Sequence, residues 1–421
     1  MFDPYNNIEK LTLSNGIDVY LCSWPVDFTR IIATIHAGHN DNPLGKEGVA
    51  HLTEHVAAGT CKMKSKTDLA DLLGLGYALG STSDIATWIE FTTPNSSLKG
   101  TKTAAYLKRI LSYIDDYFFN IIGKDIKNVF EEEKIAIINE CYHRDKSPEM
   151  ARKMKKINHE PWGELNFMRR EYPDTIEQIK IGAVRDFIKK HYTTRNMSII
   201  IVGGLNIELV KKRILASPLN RRFASGTPKR IDSEEKIQLG IPTVFHSRIN
   251  ASDFGSSDFG QAQISMKLLT TKHHNPAMRI ARSILYKRLM KELREKRHLT
   301  YSVDMNVKRY QNIIGFNLST RVPKENLDEI ESIIEEQILL CAESLNEIKE
   351  TKKLVLASWR ILNYDIFQFT KDWAGEIQTY GKPFSLKERY DKFKNTKPEE
   401  VSDFLRYFAE KQNRFTVIVH P

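Results

Sequence analysis

The apolar positions of the chain first fall in short runs rich in β-branched residues: EKLTLS, IDVYLC and TRIIATIHA, separated by turn signals such as Ser14-Asn15-Gly16. Three strands are predicted there. The spacing then becomes helical over GVAHLTEHVA and over TDLADLLGLG, returns to a strand at IATWIEFT, and is helical again across two long amphipathic stretches from about Lys99 to Arg144. A helix over 175–191 and the apolar strand SIIIVGG close this half.

The stretch ASPLNRRFASGTPKRIDSEEKIQ has no apolar period and mixes prolines, glycine and both charges, as an interdomain linker does. Beyond it the order repeats. Strands are predicted near 242–247 and 261–268, a helix at 275–296, strands at 301–308 and 312–319, long helices from 323 to 411, and a last strand RFTVIVH. The pattern predicts an α+β fold of two similar domains, each a mostly antiparallel sheet packed with helices: residues 1–218, a linker at 219–238, and residues 239–421. A length of 421 residues agrees with two domains at roughly 100 to 200 residues each.

Composition narrows the function classes. The net charge of +10 is spread over helices that also carry Glu and Asp, without a nucleic-acid-binding module, so no nucleic acid is expected as a partner. No apolar run approaches the roughly 18 to 20 residues of a membrane-spanning helix, so no membrane is expected either. The opening MFDPYNNIEKLTLSNG has neither a secretory nor an organellar pattern, which makes a cytoplasmic enzyme the expectation. Cys22, Cys61, Cys141 and Cys341 show no CxxC spacing and are expected to be reduced and mostly buried.

The chemistry begins at His51-Leu52-Thr53-Glu54-His55. Histidines four apart on a helix project from one face and can bind one ion together, and Glu54, three after His51, shares that side. Neutral imidazoles leave zinc its full charge, and a carboxylate beside it can take a proton from a water. A catalytic zinc takes three protein ligands, so one more is needed. The stretch FEEEKIAIINECYHRD is the best source: Ile135, Ile138 and Cys141 can face a core, while Glu133 and Glu140, two turns apart, lie on a nearly common face. Glu140 is the candidate third ligand and Glu133 its support.

HxxEH inverts the commoner HExxH order, and here the chain resembles the M16, or pitrilysin-like, zinc metallopeptidases. The resemblance extends over LTLSNGIDVYLC, Gly48-Val49-Ala50 before HLTEH, Gly59-Thr60 after it, the seven-residue separation of Glu133 and Glu140, HYTTRNMSIIIVGG and LREKRHLTYSV. It implies a zinc endopeptidase with Glu54 as general base, and a strand in LGSTSDIATWIEF that pairs with substrate backbone, with Leu79, Gly80 and Ser81 as candidate substrate contacts. Arg294 and Tyr301 match the family's Arg and Tyr near the scissile bond, which can stabilise a developing oxyanion. Chains of this length resemble one half of a clamshell, which implies a homodimer or a heterodimer with an M16 paralogue, acting on peptides. Processing of a precursor or leader peptide, of the bacteriocin or cofactor-peptide kind, is one implied role. A non-catalytic M16-like subunit that binds peptide or supports an active paralogue is the alternative.

Overall fold

The structure is a computed structural model that describes residues 8–61, 77–95, 100–145, 151–152, 171–227, 244–248, 261–270, 275–310, 313–362 and 365–420. It divides into two units, one made by residues 1–144, 166–231 and 365–385, the other by 145–165, 232–364 and 386–421.

In the first unit, strands β1 (Ile8–Thr12), β2 (Asp18–Ser23), β3 (Phe28–Ile35), β4 (Tyr77–Thr82), β5 (Thr87–Pro94) and β6 (Met197–Gly203) form one sheet in the order β1-β2-β6-β3-β5-β4. Only β2 and β6 run parallel; the other neighbours are antiparallel. The helices are α1 (Val49–Thr60), α2 (Gly100–Phe119), α3 (Lys127–Asp145), α4 (Pro173–Gln178), α5 (Ile181–His191), α6 (Ile207–Leu215) and α7 (Pro218–Arg221). One sheet face, with Val19, Leu21, Ile31, Ala33, Ile89, Phe91, Ile199 and Ile201, packs in a single core with Val49, Leu52 and Val56 of α1 and Ile110, Ile114 and Phe118 of α2.

The second unit repeats the plan. Strands β7 (Val244–Arg248), β8 (Gln261–Thr270), β9 (Val303–Tyr310), β10 (Ile313–Pro323) and β11 (Phe415–His420) form a sheet in the order β7-β11-β8-β10-β9, again with one parallel pair, β7 with β11. In both units the closing strand, β6 or β11, slots between an early strand it joins in parallel and a central strand it joins antiparallel. Helices α8 (Asn275–Leu289), α9 (Leu327–Glu343), α10 (Leu345–Leu362), α12 (Leu386–Asn395) and α13 (Pro398–Ala409) belong to this unit, and α8, α9 and α13 bury Ile284, Ile334 and Phe404 in its core. The expected α+β class and the two mostly antiparallel sheets are those of the structure.

The expected domain boundaries need correction. Helix α11 (Ile366–Tyr380) falls inside the expected second domain of residues 239–421 but belongs to the first unit. It covers the face of the first sheet opposite α1: Phe369 meets Trp24 edge-on at 4.7 Å between ring centroids, Phe367 stacks on Phe28, and Tyr20 donates to the Gly381 carbonyl. This explains why β2, β3 and β6 are apolar on both faces and why the buried Arg30–Glu90 ion pair is roofed by the Phe367 ring. The linker expected at 219–238 also begins later. Leu219 is buried, its carbonyl accepts from Asn15, and Arg222 binds Asp115 through two hydrogen bonds of 2.7 Å. Residues 228–238 and the helix expected over TDLADLLGLG lie outside the described residues.

Three smaller expectations also change. The helix expected over 175–191 is two helices, broken at Ile179, where Lys134 donates to the carbonyls of Glu177 and Ile179. The core face of α3 is Phe130, Ile137 and Cys141, with Ile138 at its margin, while Ile135 points outward at 61% exposure. Ile135 is two residues from Ile137, about 200° around the helix, so both cannot face the same core. The helix expected over 275–296 finishes as a π-helical segment at Met290–Lys296. All four cysteines are buried as thiols, with no disulfide among them.

Candidate metal centre

Helix α1 is aimed by its N-terminus. Gly48 adopts the left-handed conformation at φ 104, and a Cβ there would lie 2.2 Å from Ile176 Cδ1 and 2.8 Å from Glu171 Cβ, so a side chain would meet both strain and collision. The side chain of Asn42 accepts from the Ala50 amide and secures the first turn. With Val49, Leu52 and Val56 committed to the core, helical spacing turns His51, Glu54 and His55 together toward α3. Gly59 lets the two helices approach: a Cβ would lie 2.6 Å from Val129 Cγ1 and 3.2 Å from Glu133 Oε1.

This approach brings His51, His55 and Glu140 into one cluster, their ligand-type atoms all within 4.8 Å of one another. One Glu140 oxygen lies 3.8 Å from His51 Nε2 and the other 3.7 Å from His55 Nε2. Zinc–nitrogen and zinc–oxygen bonds of about 2.0–2.1 Å put tetrahedral ligands about 3.4 Å apart. Donor chemistry and spacing therefore fit a zinc ion with little adjustment. Glu140, at 55% side-chain exposure, faces the open side.

A carboxylate stands beside each of the opposite ring nitrogens, hydrogen-bonded at His55 and within ion-pair distance at His51. His55 Nδ1 is 2.9 Å from Glu133 Oε2, and His51 Nδ1 is 3.4 Å from Glu171 Oε1. A carboxylate at Nδ1 holds the proton there and leaves the Nε2 lone pair for a metal. Glu133 thus sits on the Nδ1 side of His55, away from the Nε2 atom that faces Glu140.

Glu171 was not legible in the sequence. It is buried, receives Arg144 at 3.0 Å, and also touches His39 Nδ1 at 3.4 Å. Burial would raise its pKa, but His51, His39 and the nearby backbone outweigh that and hold the carboxyl well below the usual range. Burial likewise favours the neutral His51 ring, yet Glu171, Glu54 and Glu140 outweigh it and raise the pKa of the metal-free imidazole. The same concentration of negative charge would attract a divalent cation.

Glu54 lies alongside this cluster. Its Oε2 is 4.0 Å from both His51 Nε2 and His55 Nε2, outside the donor triangle but next to it. Its Oε1 accepts a hydrogen bond of 2.8 Å from Tyr117 of α2, a second residue that sequence reasoning missed. Among the described residues, strand β4 pairs with β5 alone and forms the outer edge of the sheet. Leu79 and Gly80 are exposed on this edge and Ser81 is half-buried, with Gly80 packed against Glu54.

Arg294 and Tyr301 belong to the second unit. Arg294 lies in the π-helical segment with its guanidinium 4.7 Å from the centre of the Tyr301 ring, and Tyr301 is 81% exposed in the turn before β9. That turn passes through His298, a non-glycine residue at positive φ (55°), and is tied by Thr300 to Thr320.

A family model described as the Peptidase M16 inactive domain matches residues 178–354, a span that contains none of His51, Glu54, His55, Glu133 or Glu140. A probable zinc protease PqqL of Haemophilus influenzae is 26% identical over 260 residues, which make up 59% of this chain and 26% of that protein. An uncharacterized zinc protease of Rickettsia bellii is 22% identical over 416 residues, covering 94% of this chain and 93% of that one. Among solved structures, a protease from Helicobacter pylori superposes over 100% of both chains with a TM-score of 0.77 at 16% identity.

Proposed function

From the M16 peptidase fold, which this chain has, we propose that it is a zinc-dependent endopeptidase acting on short or unfolded peptides. The observation that carries the reading is the convergence of His51 Nε2, His55 Nε2 and the Glu140 carboxylate, with Glu54 beside them. Relatives named as zinc proteases support it. A zinc ion held there would supply Lewis acidity toward a water and a scissile carbonyl. Glu54 Oε2 accepts the proton of the attacking water and returns it to the leaving amine. Glu133 and Glu171 keep the two imidazoles oriented.

Substrate backbone adds to the exposed β4 edge at Leu79, Gly80 and Ser81, so that main-chain hydrogen bonds give affinity without demanding a sequence. Arg294 and Tyr301 act as a donor pair toward the developing oxyanion, contributed by a partner chain in a homodimer or in a heterodimer with an M16 paralogue. Processing of a precursor or leader peptide is the narrower role this arrangement suits.

The description of the matching domain as inactive favours a second reading, a non-catalytic subunit that binds peptide or supports an active paralogue. The retained donor set and base argue for the first. Metal analysis of the purified chain, paired with hydrolysis of quenched unstructured peptides, tests the choice. The expected result is about one zinc per chain and cleavage that a chelator abolishes and zinc restores. Failure to cleave, alone or mixed with a paralogue, selects the non-catalytic reading.

A further inference from the structure

Tyr117 lies on the buried face of α2, 2% exposed, among Tyr113 and Phe118, where its ring reads as ordinary core. Its hydroxyl, however, does not return to backbone. It reaches across to α1 and donates to Glu54 Oε1 at 2.8 Å. Glu54 is itself only 7% exposed, so this oxygen has little access to water. The backbone of β4 closes on the same atom: a Cβ on Gly80 would lie 2.5 Å from Glu54 Oε1 and 3.0 Å from the Tyr117 hydroxyl oxygen. Oε1 is thereby enclosed by a phenol on one side and a bare glycine on the other. Oε2 is the oxygen turned toward both histidine Nε2 atoms, at 4.0 Å from each.

We propose that Tyr117 is a positioning residue for the peptidase reaction: by fixing one carboxylate oxygen of Glu54, it holds the other at the metal centre as the proton acceptor. The inference rests on the peptidase reading. The last torsion of a glutamate is broad and loosely two-fold, so a carboxylate without such a tether can turn and offer either oxygen, or neither, to the attacking water. A buried acceptor deprived of its donor also seeks a new partner, and the nearest donors would be the histidines themselves. Burial and the Glu54 charge hold the Tyr117 phenol well above its usual pKa, so it remains a donor throughout the neutral range.

The test is Tyr117→Phe, which keeps the ring and removes the hydroxyl. The expected result is a kcat lower by about 10- to 100-fold, as for a lost hydrogen bond to a charged group, with KM within about two-fold and zinc content unchanged. A second readout needs no loaded enzyme: denaturant stabilities of metal-free wild type, Tyr117→Phe, Glu54→Ala and the double variant should be non-additive. An unchanged kcat, a loss confined to KM, or an additive cycle overturns the inference while leaving the peptidase reading standing. A wild-type chain that binds zinc and cleaves no peptide overturns both.

Discussion

Four carboxylates surround the two histidines of α1, and what else touches each one sets its role. Glu140 meets the two Nε2 atoms and is open to solvent, as a ligand on the substrate side should be. Glu133 and Glu171 sit behind the rings at Nδ1, and Glu54 is tethered by Tyr117. Since outer carboxylates typically contribute 10- to 100-fold to metal affinity, Glu171→Ala should weaken zinc binding by about that factor in a chelator competition. Unchanged affinity would show that Arg144 and His39 occupy Glu171 without consequence for His51. His51, Glu54, His55, Glu133 and Glu140 were legible because helical spacing alone puts each set on one face. Glu171 lies outside any periodic segment, and Tyr117 sits in an apolar run where an aromatic ring needs no further explanation. Neither leaves a signal in one sequence, since their roles arise from contacts between elements distant along the chain.

At the scale of elements, strands and helices were legible wherever one face was apolar and the other polar. What failed was assignment between elements. Helix α11 looks like one more amphipathic helix of the second half, yet its apolar side, with Phe369 and Trp373, roofs the first sheet. The clue lay in β2, β3 and β6, whose apolar residues on both faces require a cover on each. Trp373 is fully buried, so Trp373→Ala should cost about 3–5 kcal/mol, read as a shift of the denaturant midpoint. A change under about 1 kcal/mol would mean that α11 is dispensable to the first sheet. On α3, counting apolar residues suggested Ile135, whereas the rotation is set by Phe130, Ile137 and Cys141 together with the two glutamates.

At the scale of the whole molecule, two units share one strand plan, and the cluster of His51, His55 and Glu140 is confined to the first. Among the described residues no helix is long and apolar enough to cross a membrane. The pair Arg294 and Tyr301 stands in the second unit, exposed and pre-assembled by a cation–π contact. The proposed sharing of sites between chains predicts complementation: an Arg294→Ala chain and a Glu54→Gln chain, each inactive, should recover part of the activity when mixed. No recovery would place both functions within one chain. The most direct test of the central claim is Glu54→Gln, measured for zinc content and peptide hydrolysis on the same sample. Zinc content should equal that of wild type while the rate falls by about 10²- to 10⁴-fold, the usual worth of a general base. Full activity with zinc bound would contradict it.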